Sequence, residues 1–253
     1  MSKNYFMKLE ILCFLLIVSS PIYSQKHEPI EADRPDQTET PAIVPEGMIQ
    51  VESGFTYQKN DSNSFTFHLP STLWKYGVND NLELRIITEF VNEKSHDESS
   101  NGFTPLFVGF KLKLLDENGI VPKTSIIAHI GLPKMASSNY KTDYFLPEFR
   151  FTMQHSLSED LNLGYNFGLE WDGFSKEPVF VYTLSTGYSI TQKLGCYIET
   201  FGFLSQNAKS NQNLDGGITY LLNNNLMIDL SSSIGITELD PIYYWSFGIS
   251  FRI

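Results

Sequence analysis

The chain has 253 residues, a formal net charge of −11, and 42% hydrophobic and 14% aromatic residues. This hydrophobic content excludes an intrinsically disordered chain, and the acidic balance argues against nucleic acid as a partner. A mean hydropathy of −0.16 excludes a helical membrane protein. It is compatible with a transmembrane β-barrel, whose inward-facing residues are polar.

Residues 1–24 have the features of a secretory signal peptide. Lys3 and Lys8 supply a positive region, and the apolar run at 11–18 is too short to span a bilayer as a helix. We predict cleavage between Ser24 and Gln25, followed by export through the inner membrane. The mature chain then keeps Cys196 as its only cysteine, which excludes an internal disulfide and a cysteine metal cluster.

Residues 25–47 form an acidic, proline-rich segment. Prolines at positions 29, 35, 41 and 45 prevent regular strand pairing, and acidic residues recur throughout. On composition alone, a disordered periplasmic tail is the simpler interpretation.

Residues 48–253 alternate between apolar and polar residues, which is the period of a β-strand. The pattern predicts twelve strands, mostly of ten to thirteen residues. A tilted strand that crosses a bilayer needs roughly 9–11 residues, whereas globular strands average about 5–6. The fold class is therefore all-β, a transmembrane antiparallel barrel of about twelve strands.

Two strands are less regular than the others. In the second strand, we expect Leu73 to face lipid and Thr72 to face the lumen, with a bulge or bend at Pro70. The strand boundaries within 194–214 stay open, because Tyr197 and Phe201 share a face with Glu199.

The connections alternate between short and long. Short turns are predicted at 77–81, 116–119, 157–160, 191–193 and 223–225, and longer links at 58–63, 93–103, 133–143, 172–178, 205–213 and 237–241. Outer-membrane barrels have short periplasmic turns and longer external loops. An even number of strands then places both ends of the barrel at the periplasmic mouth.

The last strand, Ile242 to Ile253, has an apolar aromatic face and a polar face. Tyr243, Trp245 and Phe247 belong to the first, while Ser246 and Gly248 belong to the second. An unpaired strand edge is a hazard, so we expect this strand to pair with the first one and close the barrel. It also resembles the C-terminal signal that the barrel-assembly machinery of the outer membrane recognises.

The polar strand faces carry charges of both signs. We assign to the lumen Glu52, Glu83, Arg85, Glu89, Lys111, Lys113, Glu148, Arg150, Glu170, Glu199, Asp215, Asp229 and Arg252. Charges in a confined space pair with one another, so a structural lattice of salt bridges is one interpretation. The other interpretation is a polar wall along which a small solute passes.

The acidic segment enters the first strand directly, so it can fold back into the barrel from the periplasmic side and plug it. The residues assigned to this plug are Asp33, Arg34, Pro35, Asp36, Thr38 and Glu39. Their expected partners are the cations Lys111, Lys113, Arg150 and Arg252.

Several motifs recur in a known family. They are DRPDQTETP at 33–41, VESGF at 51–55, LWKYGVNDNLELR at 73–85, GFKLKLL at 109–115 and the pair Leu132–Pro133. On these motifs, the mature chain resembles the outer-membrane barrels labelled for the MetA pathway of phenol degradation, which are related to FapF-type transporter barrels. Trp74, Lys75, Lys134 and Met135 depart from the family pattern.

The resemblance implies a channel or transporter in the cell outer membrane for a small solute, with hydrophobic and aromatic compounds among the candidates. The phenol label describes a gene neighbourhood and does not establish a substrate. The partners implied are outer-membrane lipid, the barrel-assembly machinery and the solute.

Catalysis is not expected. The five histidines, at 27, 68, 96, 129 and 155, are scattered along the chain, and no G-x-S-x-G motif occurs. We therefore predict no catalytic site, no metal site and no cofactor. A barrel that binds partners through its surface loops, such as an adhesin, is the alternative function, and an outer-membrane hydrolase is the less favoured one.

Overall fold

The computed structural model describes residues 28–205, 211–237 and 241–253, so the expected signal peptide lies outside the described residues. Within these ranges the strands are β1 (Ile49–Lys59), β2 (Ser64–Asn79), β3 (Leu82–Ser95), β4 (Glu98–Phe103), β5 (Leu106–Leu115), β6 (Lys123–Leu132), β7 (Leu146–Ser156), β8 (Leu161–Glu170), β9 (Val179–Ser189), β10 (Leu194–Leu204), β11 (Asn211–Asn223), β12 (Leu226–Gly235) and β13 (Tyr243–Arg252). Two short 3₁₀ turns, Pro133–Met135 and Ser138–Tyr140, lie between β6 and β7. None of the helices in these ranges is long and apolar enough to cross a membrane.

The strands close into one antiparallel barrel. β2 pairs with both β1 and β3, β1 pairs with β13, and the later strands pair in chain order. β4 and β5 lie end to end along β3, so they occupy one position in the wall. The barrel therefore has twelve strands around its circumference, and the predicted fold class is confirmed.

The predicted long link at 93–103 differs from the prediction. Residues 93–103, expected as a loop, continue the β3 strand and form β4, and the two strands pair from Phe90–Phe103 to Ser95–Glu98. Polar residues occupy both faces of this extension, as in Glu93, Lys94, Ser99 and Ser100. Because both faces are solvated, the apolar alternation that marks the other strands is missing there.

The outer surface is apolar around the circumference. Trp245 and Phe247 of β13 are 55% and 49% exposed on the outside. Ser246 and Gly248, which alternate with them along the strand, are buried inside the barrel. Leu84, Phe167 and similar residues extend the apolar surface to other strands. An apolar surface this extensive fits lipid rather than water.

A β-bulge reverses the faces of the second half of β2. The register of the β2–β3 pair shifts between His68 and Ser71. Beyond the shift, Lys75 pairs with Gln50 and faces the interior, whereas Trp74 is 46% exposed outside. The prediction of a bulge near Pro70 is confirmed. The placement of Leu73 toward lipid and Thr72 toward the lumen is wrong, because an extra residue moves every later side chain to the opposite face.

The ambiguous tenth strand has its aromatic residues inside. Glu199 and Phe201 of β10 are buried, and Ile198, next to Glu199 on the opposite face, is 58% exposed on the outside. Phe201 belongs to an inner apolar collar near the long-loop mouth, which comprises Val91, Leu146, Val181 and Phe201. The lumen thus carries an apolar collar toward the long-loop mouth in addition to its charged residues.

The assignment of faces predicts opposite results for two arginine substitutions. Phe167→Arg places a charge on the lipid face near the middle of β8, at a cost of about 2–4 kcal/mol. Gln154→Arg, its control on the adjacent strand, places the same charge beside an open space inside the barrel. We expect only Phe167→Arg to lower the yield of heat-modifiable barrel after refolding into lipid. Normal folding of Phe167→Arg together with failure of Gln154→Arg would show that the faces are reversed.

Candidate functional site

The N-terminal segment, residues 28–47, enters the barrel interior and leaves by the same mouth. Ile30 N donates to Asn224 O at 2.8 Å, in the turn between β11 and β12. At the other end of the segment, Gly47 N donates to Gly77 O at 2.8 Å, near the end of β2. Between these two contacts the segment forms a loop, and side chains of the inner wall hold it.

Asp33 lies at the centre of the strongest set of contacts. Its Oδ2 atom is 3.0 Å from Lys75 Nζ and 3.2 Å from Arg85 Nη1. Its Oδ1 atom is 2.9 Å from Lys111 Nζ and accepts a hydrogen bond from Thr40 N at 3.0 Å. Three cations from β2, β3 and β5 therefore converge on one carboxylate, which is 6% exposed.

Two carboxylates of the wall share these cations. Glu52 contacts Lys75, while Glu83 Oε1 lies 3.3 Å from Arg85 Nη1 and 3.8 Å from Lys111 Nζ. The wall residues of this cluster are buried, each at most 2% exposed. On its own, the wall cluster has three cations and two carboxylates. The segment supplies the missing negative charge, chiefly through Asp33, which contacts all three cations, and an unpaired buried charge would be costly.

The same wall carboxylates hold the backbone of the segment. Asp33 N and Arg34 N donate to Glu52 Oε2 at 2.9 and 3.1 Å. Val44 N donates to Glu83 Oε2 at 2.9 Å. Each glutamate thus binds a cation of the wall with one oxygen and an amide of the segment with the other.

Glu39 makes a second charged contact, deeper in the barrel. Its Oε2 atom is 2.6 Å from Arg85 Nη2, and its Oε1 atom is 3.7 Å from Arg150 Nη1. Asn166 holds the backbone at this point, because Glu39 N donates to Asn166 Oδ1 at 2.7 Å and Asn166 Nδ2 donates to Glu39 O at 3.1 Å.

Arg34 occupies a niche at the seam where the first and last strands meet. Its Nη2 atom lies 2.9 Å from Asp229 Oδ1 and donates to Ser246 Oγ at 2.9 Å. Gly54 and Gly248, which are paired across the seam, form the floor of the niche. A Cβ atom at Gly54 would lie 2.0 Å from Arg34 Nη1, and one at Gly248 would lie 2.3 Å from Arg34 Nε. The guanidinium fits only because both positions are glycine.

The opposite wall holds the tip of the loop mainly with hydroxyl groups. Thr38 Oγ1 donates to Glu199 and lies 2.7 Å from Thr183 Oγ1, and Ser185 Oγ donates to Asp36 Oδ2 at 3.0 Å. Gln37 N donates to the second oxygen of Glu199 at 2.8 Å. Asp215 accepts hydrogen bonds from Tyr244 and Tyr197 beside this tip.

The two aspartates of the loop have opposite pKa shifts. Burial alone would raise the pKa of Asp33, but the three surrounding cations, Lys111 foremost, hold it well below the ordinary value of 3.8. Burial raises the pKa of Asp36 to about 7, and the nearby carboxylates of Asp215 and Asp33 act in the same direction. Near neutral pH, Asp33 is therefore charged and Asp36 titrates.

Two of the four expected cation partners pair with acids of the segment, and two have other partners. Lys111 contacts Asp33, and Arg150 contacts Glu39. Lys113 instead pairs with Asp116 in a short turn, at 3.1 Å. Lys113 and Arg252 both lie at the rim of the mouth, below the acids of the loop, and bond to other partners.

Arg252 holds the start of the segment by its backbone. Its Nη2 atom donates to Glu28 O at 2.6 Å and to Asn225 Oδ1 at 2.9 Å. Pro35, the remaining plug residue, is buried between Arg34 and Asp36.

The other predicted lumen acids lie above the segment, toward the long-loop mouth. Glu89 contacts His68 at 2.8 Å, Glu148 contacts His129 at 3.1 Å, and Glu170 lies 3.8 Å from Arg150. His68 and His129 thus each have a carboxylate partner. Within the described ranges, no three His, Cys, Asp or Glu side chains are placed to hold a metal ion.

Several wall residues that hold the segment were not among the predicted site residues. Lys75 was missed because the β2 bulge places it inside, and Pro70 was the one signal of that reversal. Gln50 donates to Glu31 O at 2.8 Å, and Ser125 donates to Pro41 O at 2.7 Å. Neutral residues like these look the same in a sequence whether they face water or hold a segment.

The segment leaves part of the lumen open. A cavity of about 230 Å³ lies between the loop and the wall formed by β7 to β11. Polar residues such as Gln154, Asn162 and Thr219 line it together with Asp36 and Thr38. A space of this size holds several water molecules.

A closed twelve-stranded barrel with an apolar outer band and a polar, charged interior defines an outer-membrane β-barrel protein. The chain belongs to the family described as the MetA-pathway of phenol degradation, whose model matches residues 32–253. This match confirms the resemblance that the motifs at 33–41 and 51–55 suggested.

Solved outer-membrane channels share the fold. An outer membrane channel from Pseudomonas putida F1 is 11% identical, with a TM-score of 0.68 over 84% of this chain and 97% of that one. KdgM porin is 11% identical, with a TM-score of 0.54 over 80% and 98% of the two chains. NanC porin is 13% identical, with a TM-score of 0.53 over 81% and 100%. A search of curated proteins finds no match to this sequence.

The glycine niche predicts that one methyl group releases the segment. Gly248→Ala would place its Cβ atom against Arg34 Nε and 2.4 Å from Asp229 Oδ2, and overpacking of this kind costs about 1–3 kcal/mol. We expect faster hydrogen exchange at the amides of residues 33–44, measured by mass spectrometry. Gly216→Ala in β11 is the control, because its nearest contact outside its chain neighbours is Tyr197 O at 3.1 Å. Equal exchange in both variants would exclude the niche as an anchor.

The pKa of Asp36 predicts that the segment is held less tightly as the pH rises. Its pKa of about 7 in the barrel exceeds the ordinary value of 3.8, so the inserted state binds the additional proton between these values. Insertion should weaken by up to about 1.4 kcal/mol per pH unit in this window, while Asp33 titrates below it. Segment amides, corrected for intrinsic exchange, should exchange faster at pH 8 than at pH 5. Asp36→Asn should flatten this dependence, and an unchanged profile in that variant would contradict the assignment.

Proposed function

We propose that this protein is a channel for small solutes in the outer membrane, and that its N-terminal segment closes the channel at rest. The observation that carries the proposal is the charge balance around Asp33. The wall alone has an excess of cations at this point, and a carboxylate of the segment neutralises it.

The path of the segment supports closure. Its contacts run from Glu52 and Asp229, past Glu199 and Asn166, and return to Glu83, whose strand is separated from that of Glu52 only by β2. The loop therefore meets the wall around most of the circumference. While the loop is inserted, it blocks the passage of a small organic solute through the lumen.

The nature of the contacts supports reversible closure. Side chains of the wall hold the segment, and the segment adds no strand to the sheet. When it leaves, the wall groups can exchange their bonds to the segment for bonds to water. The barrel itself keeps every strand pairing, so opening requires no rearrangement of the wall.

The apolar collar bears on the kind of solute. Val91, Val181 and Phe201 line the lumen near the long-loop mouth, above the cation cluster around Asp33. A solute with an apolar or aromatic body fits against this collar better than a strongly hydrated ion does. This arrangement is consistent with the hydrophobic and aromatic candidates that the sequence suggested.

Deletion of residues 28–44 should leave a folded barrel with a larger single-channel conductance in planar bilayers. Removing the loop frees the cross-section that it now fills. Heat-modifiable migration in detergent gels checks that the barrel has formed. A folded deletion variant that conducts no better than wild type would contradict closure by the segment.

A pair of charge-matched variants separates the role of the loop acids from a general loss of negative charge. Asp33→Asn with Glu39→Gln removes two acids that contact wall cations, whereas Glu28→Gln with Glu46→Gln removes two exposed acids. Breaking a buried ion pair typically costs about 3–5 kcal/mol. We expect the first variant to open more often than wild type and the second to behave like wild type.

A further inference from the structure

We infer that Lys75, Arg85 and Lys111 form a binding site for the carboxylate group of a solute, and that Asp33 occupies this site at rest. The inference rests on the proposed function and adds the chemical class of the solute, a small organic monocarboxylate. The segment then acts as a built-in competitor of the solute.

The three cations of the site all belong to the wall, and wall carboxylates contact each of them. Glu52 contacts Lys75, and Glu83 contacts both Arg85 and Lys111. The three cations are therefore held in place on three strands, β2, β3 and β5. Such prior organisation lowers the cost of binding an incoming anion.

The charge and shape of the site select a monovalent carboxylate. Without the segment, which supplies both Asp33 and Glu39, the cluster has three cations and two carboxylates, so one further negative charge balances it. The two oxygens of Asp33 are used separately, Oδ1 by Lys111 and Oδ2 by Lys75 and Arg85. Two oxygens in one plane that bridge distinct cations match a carboxylate better than a spherical anion such as chloride.

The arrangement gives a reason for the channel to open when the solute is present. A carboxylate that binds this site displaces Asp33 and breaks its contacts with all three cations. The backbone bonds from Asp33 and Arg34 to Glu52 lie beside the same site, so they weaken together with it. Binding of the solute thus favours the state in which the segment has left.

Chemical rescue in the full-length protein tests the site. Asp33→Ala leaves a space of carboxylate size, and Asp36→Ala is the control, because the Asp36 carboxyl accepts its hydrogen bond from Ser185. Both variants are titrated with sodium acetate, sodium chloride and neutral acetamide at constant ionic strength. The two readouts are the thermal unfolding midpoint in detergent and the single-channel conductance.

We expect acetate to raise the unfolding midpoint of Asp33→Ala, with an apparent affinity at least about tenfold higher than that of acetamide or chloride. Asp36→Ala should show no such preference. Equal effects of acetate, chloride and acetamide on Asp33→Ala would overturn the inference. The unfolding midpoint reports binding whether or not the barrel conducts. An acetate-selective shift in a barrel that does not conduct would therefore refute the channel and support the carboxylate site. Conductance without an acetate-selective shift would support the channel and refute the carboxylate site.

Discussion

The contact between Asp33 and three buried cations is the interaction on which the rest of the interior depends. Lys75, Arg85 and Lys111 are each at most 2% exposed, and the wall supplies one carboxylate too few for them. A buried cation without a partner is costly, and so is a buried carboxylate without one. The wall and the segment therefore stabilise each other in this arrangement, because the buried charges of one neutralise the buried charges of the other. The paired oxygens of Glu52 and Glu83, which bind wall cations and segment amides at once, extend the same dependence to the backbone.

The position of Arg34 connects this interior to the closure of the barrel. Its niche is made of Gly54 on the first strand and Gly248 on the last, together with Asp229 on the strand before it. The niche exists only when β1 and β13 have paired. The segment that follows the predicted signal peptide therefore finds its full set of partners only after the barrel has closed. The motif DRPD thus provides two neighbouring contacts. Asp33 binds the three cations, and Arg34 lies in the niche at the seam between β1 and β13.

Much of the fold follows from the sequence because a barrel repeats one simple rule. Alternation at positions such as Leu163 and Phe167 against Gly164 and Asn166 separates lipid from lumen without any knowledge of neighbours. The closing strand was predictable for the same reason. The rule fails where its physical basis is missing: residues 93–103 pair in a hairpin whose faces are both polar, and the β2 bulge changes the face of Lys75 without changing the local pattern.

The candidate site was predictable in its chemistry and less so in its pairing. Acids in the segment and cations on inward faces indicated which groups could meet, and Asp33 with Lys111 followed from that. Which cation meets which acid depends on how far along the barrel axis each side chain lies. The sequence carries little information on that position. Lys113 and Lys111 lie on the same face two residues apart, yet only Lys111 reaches the loop, because Lys113 is at the rim beside Asp116. The collar of Val91, Leu146, Val181 and Phe201 was missed because apolar residues are not expected on the inner face of a barrel.

The central claim is that the segment must leave the interior before solute can pass. A disulfide between the loop and the wall tests it most directly. Thr38 Oγ1 and Thr183 Oγ1 are 2.7 Å apart, which suits a pair of cysteines at these positions. Thr38→Cys with Thr183→Cys is made in a Cys196→Ser background, and single channels are recorded before and after reduction. The account predicts no openings while the disulfide is intact, and openings at the frequency of the Cys196→Ser parent or above after reduction. Equal conductance in the oxidised and reduced states would contradict it.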